Sequence, residues 1–105
     1  METYRIEITP DAEADVENCY RYILETYHSW DTADAFLDDY GETLEKLRLG
    51  AGRLKIGDHP LMQARGIRRW NFLKHDYFML YTVREDLAII LAVAHFRKDI
   101  GNILK

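Results

Sequence analysis

The sequence predicts a one-domain α+β protein: a small twisted antiparallel sheet packed against an α-helical hairpin. Three observations lead there. A short alternating segment opens the chain, two capped amphipathic stretches follow, and three β-rich runs fill the chain beyond Gly66. The whole length, residues 1–105, fits a single domain, since one core usually occupies roughly 100–150 residues.

Each element has its own local reason. From Thr3 to Thr9, apolar Tyr4, Ile6 and Ile8 alternate with Arg5, Glu7 and Thr9, the period of a half-buried strand. Thr9-Pro10-Asp11 then starts a helix: threonine caps, proline suits the first turn, and Asp11 and Glu13 face the positive end of the dipole. Val16, Tyr20, Ile23, Leu24 and Tyr27 follow at helical spacing. His28-Ser29-Trp30-Asp31 is read as the link to a second helix, with Asp31 as its cap and Asp34 completing a capping box. Phe36, Leu37, Tyr40, Leu44 and Leu47 make its apolar stripe, and Gly50-Ala51-Gly52 ends it. Arg53 to Ala64 holds Gly57 and Pro60 without a period and is expected to be a surface connection.

Three strands complete the order: Gly66–Leu73, Tyr77–Arg84 and Leu87–Phe96, the last two joined by a turn at Glu85-Asp86. The last strand is apolar on both faces, with Leu87, Ile89, Leu91 and Val93 on one side and Ala88, Ile90 and Ala92 on the other. Such a strand belongs in the middle of a sheet covered on both sides. Asp99 to Leu104 is read as a short C-terminal helical turn. The pattern is β-α-α-β-β-β.

Composition narrows the function. The net charge is −4, but 13 acidic residues and two arginines lie between Glu2 and Glu45, against 12 basic and five acidic residues from Lys46 onward. This argues against a nucleic-acid coat and leaves a basic second half able to meet an acidic partner. No run approaches the roughly 20 apolar residues of a membrane span, and the N-terminus is unlike a signal peptide, which predicts a cytoplasmic protein without a membrane partner. The single cysteine, Cys19, and the scattered His28, His59, His75 and His95 form no metal-ligand pattern, and no cofactor motif is present. No nucleophile elbow or phosphate loop appears either.

What remains is a set of cations on or beside the sheet: Arg65, Arg68 and Arg69 at the second strand, Lys74 and His75 at the next turn, and His95, Arg97 and Lys98 at the end of the last strand. Arginines on neighbouring strands can converge on phosphate or carboxylate through bidentate bonds. Alternatively they are edge charges that keep sheets from aggregating. His95 shares parity with Leu91 and Val93 and is expected on their face. Trp30 and Trp70 are candidate anchors for a partner, with Trp70 on the same strand face as Arg68 and Phe72.

In order and spacing, Tyr4-Arg5-Ile6-Glu7-Ile8-Thr9-Pro10, Gly66-Ile67-Arg68-Arg69, Tyr77-Phe78-Met79-Leu80-Tyr81 and His95-Phe96-Arg97-Lys98-Asp99 resemble the RelE/ParE superfamily of type II toxin–antitoxin toxins. The resemblance spans nearly the whole chain. It implies a sheet on a helical hairpin, a cognate antitoxin as partner, and a role in plasmid stabilisation through growth inhibition. The superfamily divides by activity. RelE-like members cut mRNA on the ribosome, and in that branch Arg68, Arg69, His95 and Arg97 would be the catalytic set. Their strand motif pairs tyrosine with arginine, whereas Tyr77 is followed here by Phe78, and no tyrosine follows Tyr81. ParE-like members end their last strand in a segment similar to His95-Phe96-Arg97-Lys98-Asp99 and bind targets such as DNA gyrase. The resemblance therefore favours a ParE-like binding toxin. Its target or antitoxin contacts would be Arg65, Arg68, Arg69, Trp70, His95, Arg97 and Lys98. A ribosome-directed ribonuclease and a non-toxic interaction module are the alternatives.

Overall fold

The computed structural model describes residues 3–105; Met1 and Glu2, where the N-terminal reading and the domain range begin, lie outside the described residues. The alternation produces strand β1, Arg5–Ile8. Thr9 then caps α1, Pro10–Tyr27, its hydroxyl accepting the Ala12 N–H at 3.2 Å. Helix α1 stops where His28 takes a left-handed conformation and donates its N–H to Leu24.

That turn corrects the expected cap. His28 reverses the chain at once, so the link to α2 (Trp30–Gly50) is two residues long instead of four. Ser29, not Asp31, is left in the extended conformation a cap requires, and its Oγ accepts the Thr32 N–H at 3.2 Å. The hairpin buries Val16 and Ile23 of α1 against Ala33, Phe36 and Leu47 of α2.

The expected surface connection is also corrected. Residues Ala51–Arg53 form a 3₁₀ turn, and Pro60–Arg65 form helix α3 with Met62 buried. Pro60 acts there as a helix starter, and His59 caps it by accepting the Leu61 N–H at 3.1 Å. Gly66, at φ 67°, closes the helix in the left-handed conformation that glycine takes without strain. A six-residue helix is too short for its period to show in a sequence.

Strands β2 (Arg68–Asn71), β3 (Tyr77–Arg84) and β4 (Leu87–His95) join β1 in the order β1-β4-β3-β2. β3 is antiparallel to both neighbours, as expected, but β1 runs parallel to β4, so the sheet is mixed. A parallel partner is possible because everything between the two strands serves as the crossover. Strand β2 is shorter than Gly66–Leu73 because the Leu73 and Lys74 N–H groups turn aside to the Asp39 carboxylate. Helix α4, Ile100–Ile103, closes the chain.

β4 is central, with core on both faces, but its faces are not the ones alternation assigns. The register slips at Leu80/Tyr81, so that Ala92 opposes Leu80, Ile90 opposes Tyr81, and Leu91 is an extra residue. The side chains beyond it change sides. Ala88, Ile90 and Val93 pack under the hairpin, whereas Leu91, Ala92 and Ala94 join Met62, Ile67, Phe78, Leu80 and Leu104 on the opposite face. His95 therefore shares a face with Val93, not with Leu91.

Candidate functional site

The end of β4 reaches past β1, whose last paired residue, Ile8, lies opposite Ile90. Beyond that point α1 is the neighbour: Asp15 accepts the Val93 N–H at 3.0 Å. Burial pushes the Asp15 carboxyl up, opposed by the Val93 bond and the charge of Lys98. Between α1 and the ends of β3 and β4 lies an open groove of about 670 Å³. Tyr22 and Tyr27 line it from α1, Tyr77 from β3, and His95, Arg97 and Lys98 from the end of β4.

The cationic end is built by local geometry. The His95 ring packs edge-on against Tyr77, with centroids 4.9 Å apart, and its Nδ1 accepts the Arg97 N–H at 3.1 Å. The His95 carbonyl accepts the Lys98 N–H at 2.9 Å, which folds the strand end back on itself. Cys19 also lines the groove, but burial raises its thiol to about 11, so it is a weak nucleophile at neutral pH. Burial likewise raises the Tyr77 hydroxyl to about 12.

At the turn before β3 sits a pair that sequence patterning does not reveal. Asp39 of α2 is only 1% exposed, and its Oδ2 lies 2.6 Å from His75 Nδ1. It also accepts from the N–H groups of Leu73 and Lys74 and from the Thr43 hydroxyl. Burial opposes the charge on Asp39, but these hydrogen bonds outweigh it and hold the carboxyl below its usual value. Asp39 and Thr43, four residues apart on α2, occupy buried positions where a helical stripe calls for apolar residues. That break in the stripe is the sequence signal that could have found them. His75 lines the same groove as His95.

The structure brings together His95, Arg97 and Lys98, but not the rest of the candidate set. Arg68 faces the hairpin side, where its Nη1 donates to the Ala51 carbonyl at 3.3 Å and its buried Nε has no partner among the described residues. Trp70 shares that side and is half-buried edge-on to Tyr81. Arg69 lies on the opposite face, its guanidinium 4.0 Å from the Phe78 ring centre and 5.1 Å from that of Phe96; burial lowers its pKa. Arg65 is exposed at the end of α3. Trp30, at 66% exposure, is the free aromatic of the pair singled out as anchors.

Among the described residues, no group of three or more His, Cys, Asp or Glu is placed to hold a metal ion, and no helix is long and apolar enough to cross a membrane. No curated protein matches the chain. Among solved structures, the chromosomal ParDE TA system from P. aeruginosa has the same fold, at TM-score 0.69 and 17% identity over 89% of this chain and 96% of that one. The family model for the ParE toxin of the type II toxin–antitoxin system, parDE, matches residues 6–100, nearly every element from β1 to the start of α4. The chain belongs to that family of type II toxins.

Proposed function

We propose that the protein is a ParE-like toxin that stops growth by binding a macromolecular target in the cytoplasm, with DNA gyrase the favoured target, and that a cognate antitoxin neutralises it. The observation that carries this reading is the separation of Arg68 from Arg69. One is tied to the Ala51 carbonyl under the hairpin and the other stacks over Phe78 and Phe96 on the far side of the sheet. A ribonuclease needs its cations to converge on one scissile phosphate, where each stabilises charge formed in the transition state. Here two of the four candidates, His95 and Arg97, line the groove. Phe78, in the position where the ribonuclease branch carries arginine, is fully buried and supplies a ring instead of a charge. Binding needs no such convergence, and the groove offers both rings and cations to a partner.

Expression without antitoxin, followed by mapping of mRNA 5′ ends and a supercoiling assay with purified gyrase, tests the reading. Growth arrest with inhibited supercoiling and intact transcripts is expected. Codon-positioned cuts would overturn it in favour of the ribonuclease, and harmless accumulation of folded protein would favour the non-toxic module.

A further inference from the structure

The Asp39–His75 pair serves more than packing. Asp39 is buried and accepts four donors, so its carboxylate is fixed in place, and the 2.6 Å contact requires a proton on His75 Nδ1. The ring's orientation is set a second time by Phe36, which meets it edge-on at 6.1 Å. Nε2 has no partner among the described residues, the side chain is 29% exposed, and the ring lines the groove. This is a pre-oriented ring in the wall of the groove that Arg97 and Lys98 also line.

We propose that His75, oriented by Asp39, donates Nε2–H to a carboxylate of an acidic protein segment seated in the α1–β4 groove, with Arg97 and Lys98 receiving further carboxylates. The inference rests on the reading of this chain as a binding toxin and names the chemistry of its partner. When the ring is neutral, Nε2 is an acceptor and repels a carboxylate. When it is an imidazolium held between two carboxylates, both nitrogens donate. Binding therefore needs the imidazolium form and strengthens as pH falls. Asp39 of α2 holds the ring, and the titratable groups lining the groove with it are Tyr22 and Tyr27 from α1, Tyr77 and Asp76 from β3 and its approach, and His95, Arg97 and Lys98 from the end of β4, with Cys19 and Asp15 from α1. Asp76 is the one free carboxylate among them that competes for the ring; Asp15, farther along the groove, is engaged by Val93.

A protein segment fits better than a nucleic acid. The chain carries net charge −4, and Asp11, Glu13 and Glu17 stand exposed along α1, so a continuous polyanion would be repelled. Carboxylates spaced along a peptide meet His75, Arg97 and Lys98, while its other side chains rest on Tyr22, Tyr27 and Ile23.

The test uses the full chain with ¹⁵N-labelled histidine and three probes: a short peptide alternating glutamate with leucine, its glutamine counterpart, and an oligothymidylate. The glutamate peptide should shift the His75 Nε2 resonance and raise the ring's titration midpoint. H75Q should weaken its binding about tenfold, the scale of one hydrogen bond to a charged group. D39N, checked for folding by near-ultraviolet circular dichroism, should weaken it too with His75 still present. Equal binding of the glutamine peptide, a stronger His75 shift from oligothymidylate, or undiminished binding by H75Q would each overturn the proposal. Growth arrest is read separately. Arrest without peptide binding rejects this role of the groove and leaves the toxin reading standing, whereas peptide binding without arrest supports the groove and counts against the toxin.

Discussion

The carbonyl of Ala51 is the point where α2 is tied to the sheet. It accepts the Tyr81 hydroxyl at 2.8 Å and Arg68 Nη1 at 3.3 Å, and Tyr81 is fully buried. Tyr81→Phe keeps the ring and removes the stronger donor, so stability in urea should fall by about 1 kcal/mol, the net value of a buried hydrogen bond. The same residue has a pH signature. Burial, opposed by the charge of Arg68, raises its hydroxyl to about 12, so the fold favours the neutral form. That contribution is complete below about pH 10, where an unfolded tyrosine ionises, and disappears as pH rises toward 12. Y81F should therefore lose less stability than the parent between those limits. The part that persists belongs to the other groups that folding raises: Tyr77 at about 12, Cys19 at about 11, and the hydroxyls of Tyr40 and Tyr20.

At the scale of elements, the extra residue Leu91 decides which face of β4 each later side chain occupies. The slip puts Val93 and His95 on the hairpin side, where His95 meets Tyr77, and sends Ala92 and Ala94 to the other cluster. Deleting Leu91 removes the extra residue and leaves Ile90, Ala92, Val93, Ala94 and His95 in strict alternation on the faces they already hold, because side chains along a strand have a period of two. Val93 and His95 would stay on the hairpin side, and the groove would keep its cationic end. A loss of about 1 kcal/mol in chemical denaturation is expected, since only the half-buried Leu91 side chain leaves the smaller cluster. The ring-current shift of His95 from Tyr77 should persist. Loss of that shift would show that a residue other than Leu91 is the extra one.

The molecule as a whole has two cores separated by its sheet. The larger lies under the α1–α2 hairpin; the smaller is covered by α3 and the C-terminal segment. Leu104, 5% exposed, belongs to the smaller one with Met62, Phe78 and Leu80. Leu104→Ala should cost about 2–3 kcal/mol, the scale of a buried leucine in a small cluster. If unfolding followed by tyrosine and histidine signals stays a single transition, the two cores are coupled through the sheet. Separate transitions would mean that the lower face opens on its own. Charge is divided along the chain, with acidic residues concentrated in the hairpin and cations at the strand ends, and the groove runs along the boundary between them.

Local chemistry was enough for β1, the Thr9 cap, both long helices, the β3–β4 hairpin and the central position of β4, because alternation, stripes and caps are properties of neighbouring residues. Even the separation of Arg68 from Arg69 was legible in principle, since adjacent residues on a strand point to opposite faces. The Asp39–His75 pair was not, because its members are 36 residues apart and meet only when α2 packs over the turn before β3. Nor was the bulge: an unbroken apolar run reads the same whether or not one residue in it is unpaired. The sequence by itself determined the elements and the family likeness. Tertiary structure decided which side chains share the groove, since that depends on the register of β4 and the seating of α1 and α2, contacts that no short-range pattern encodes.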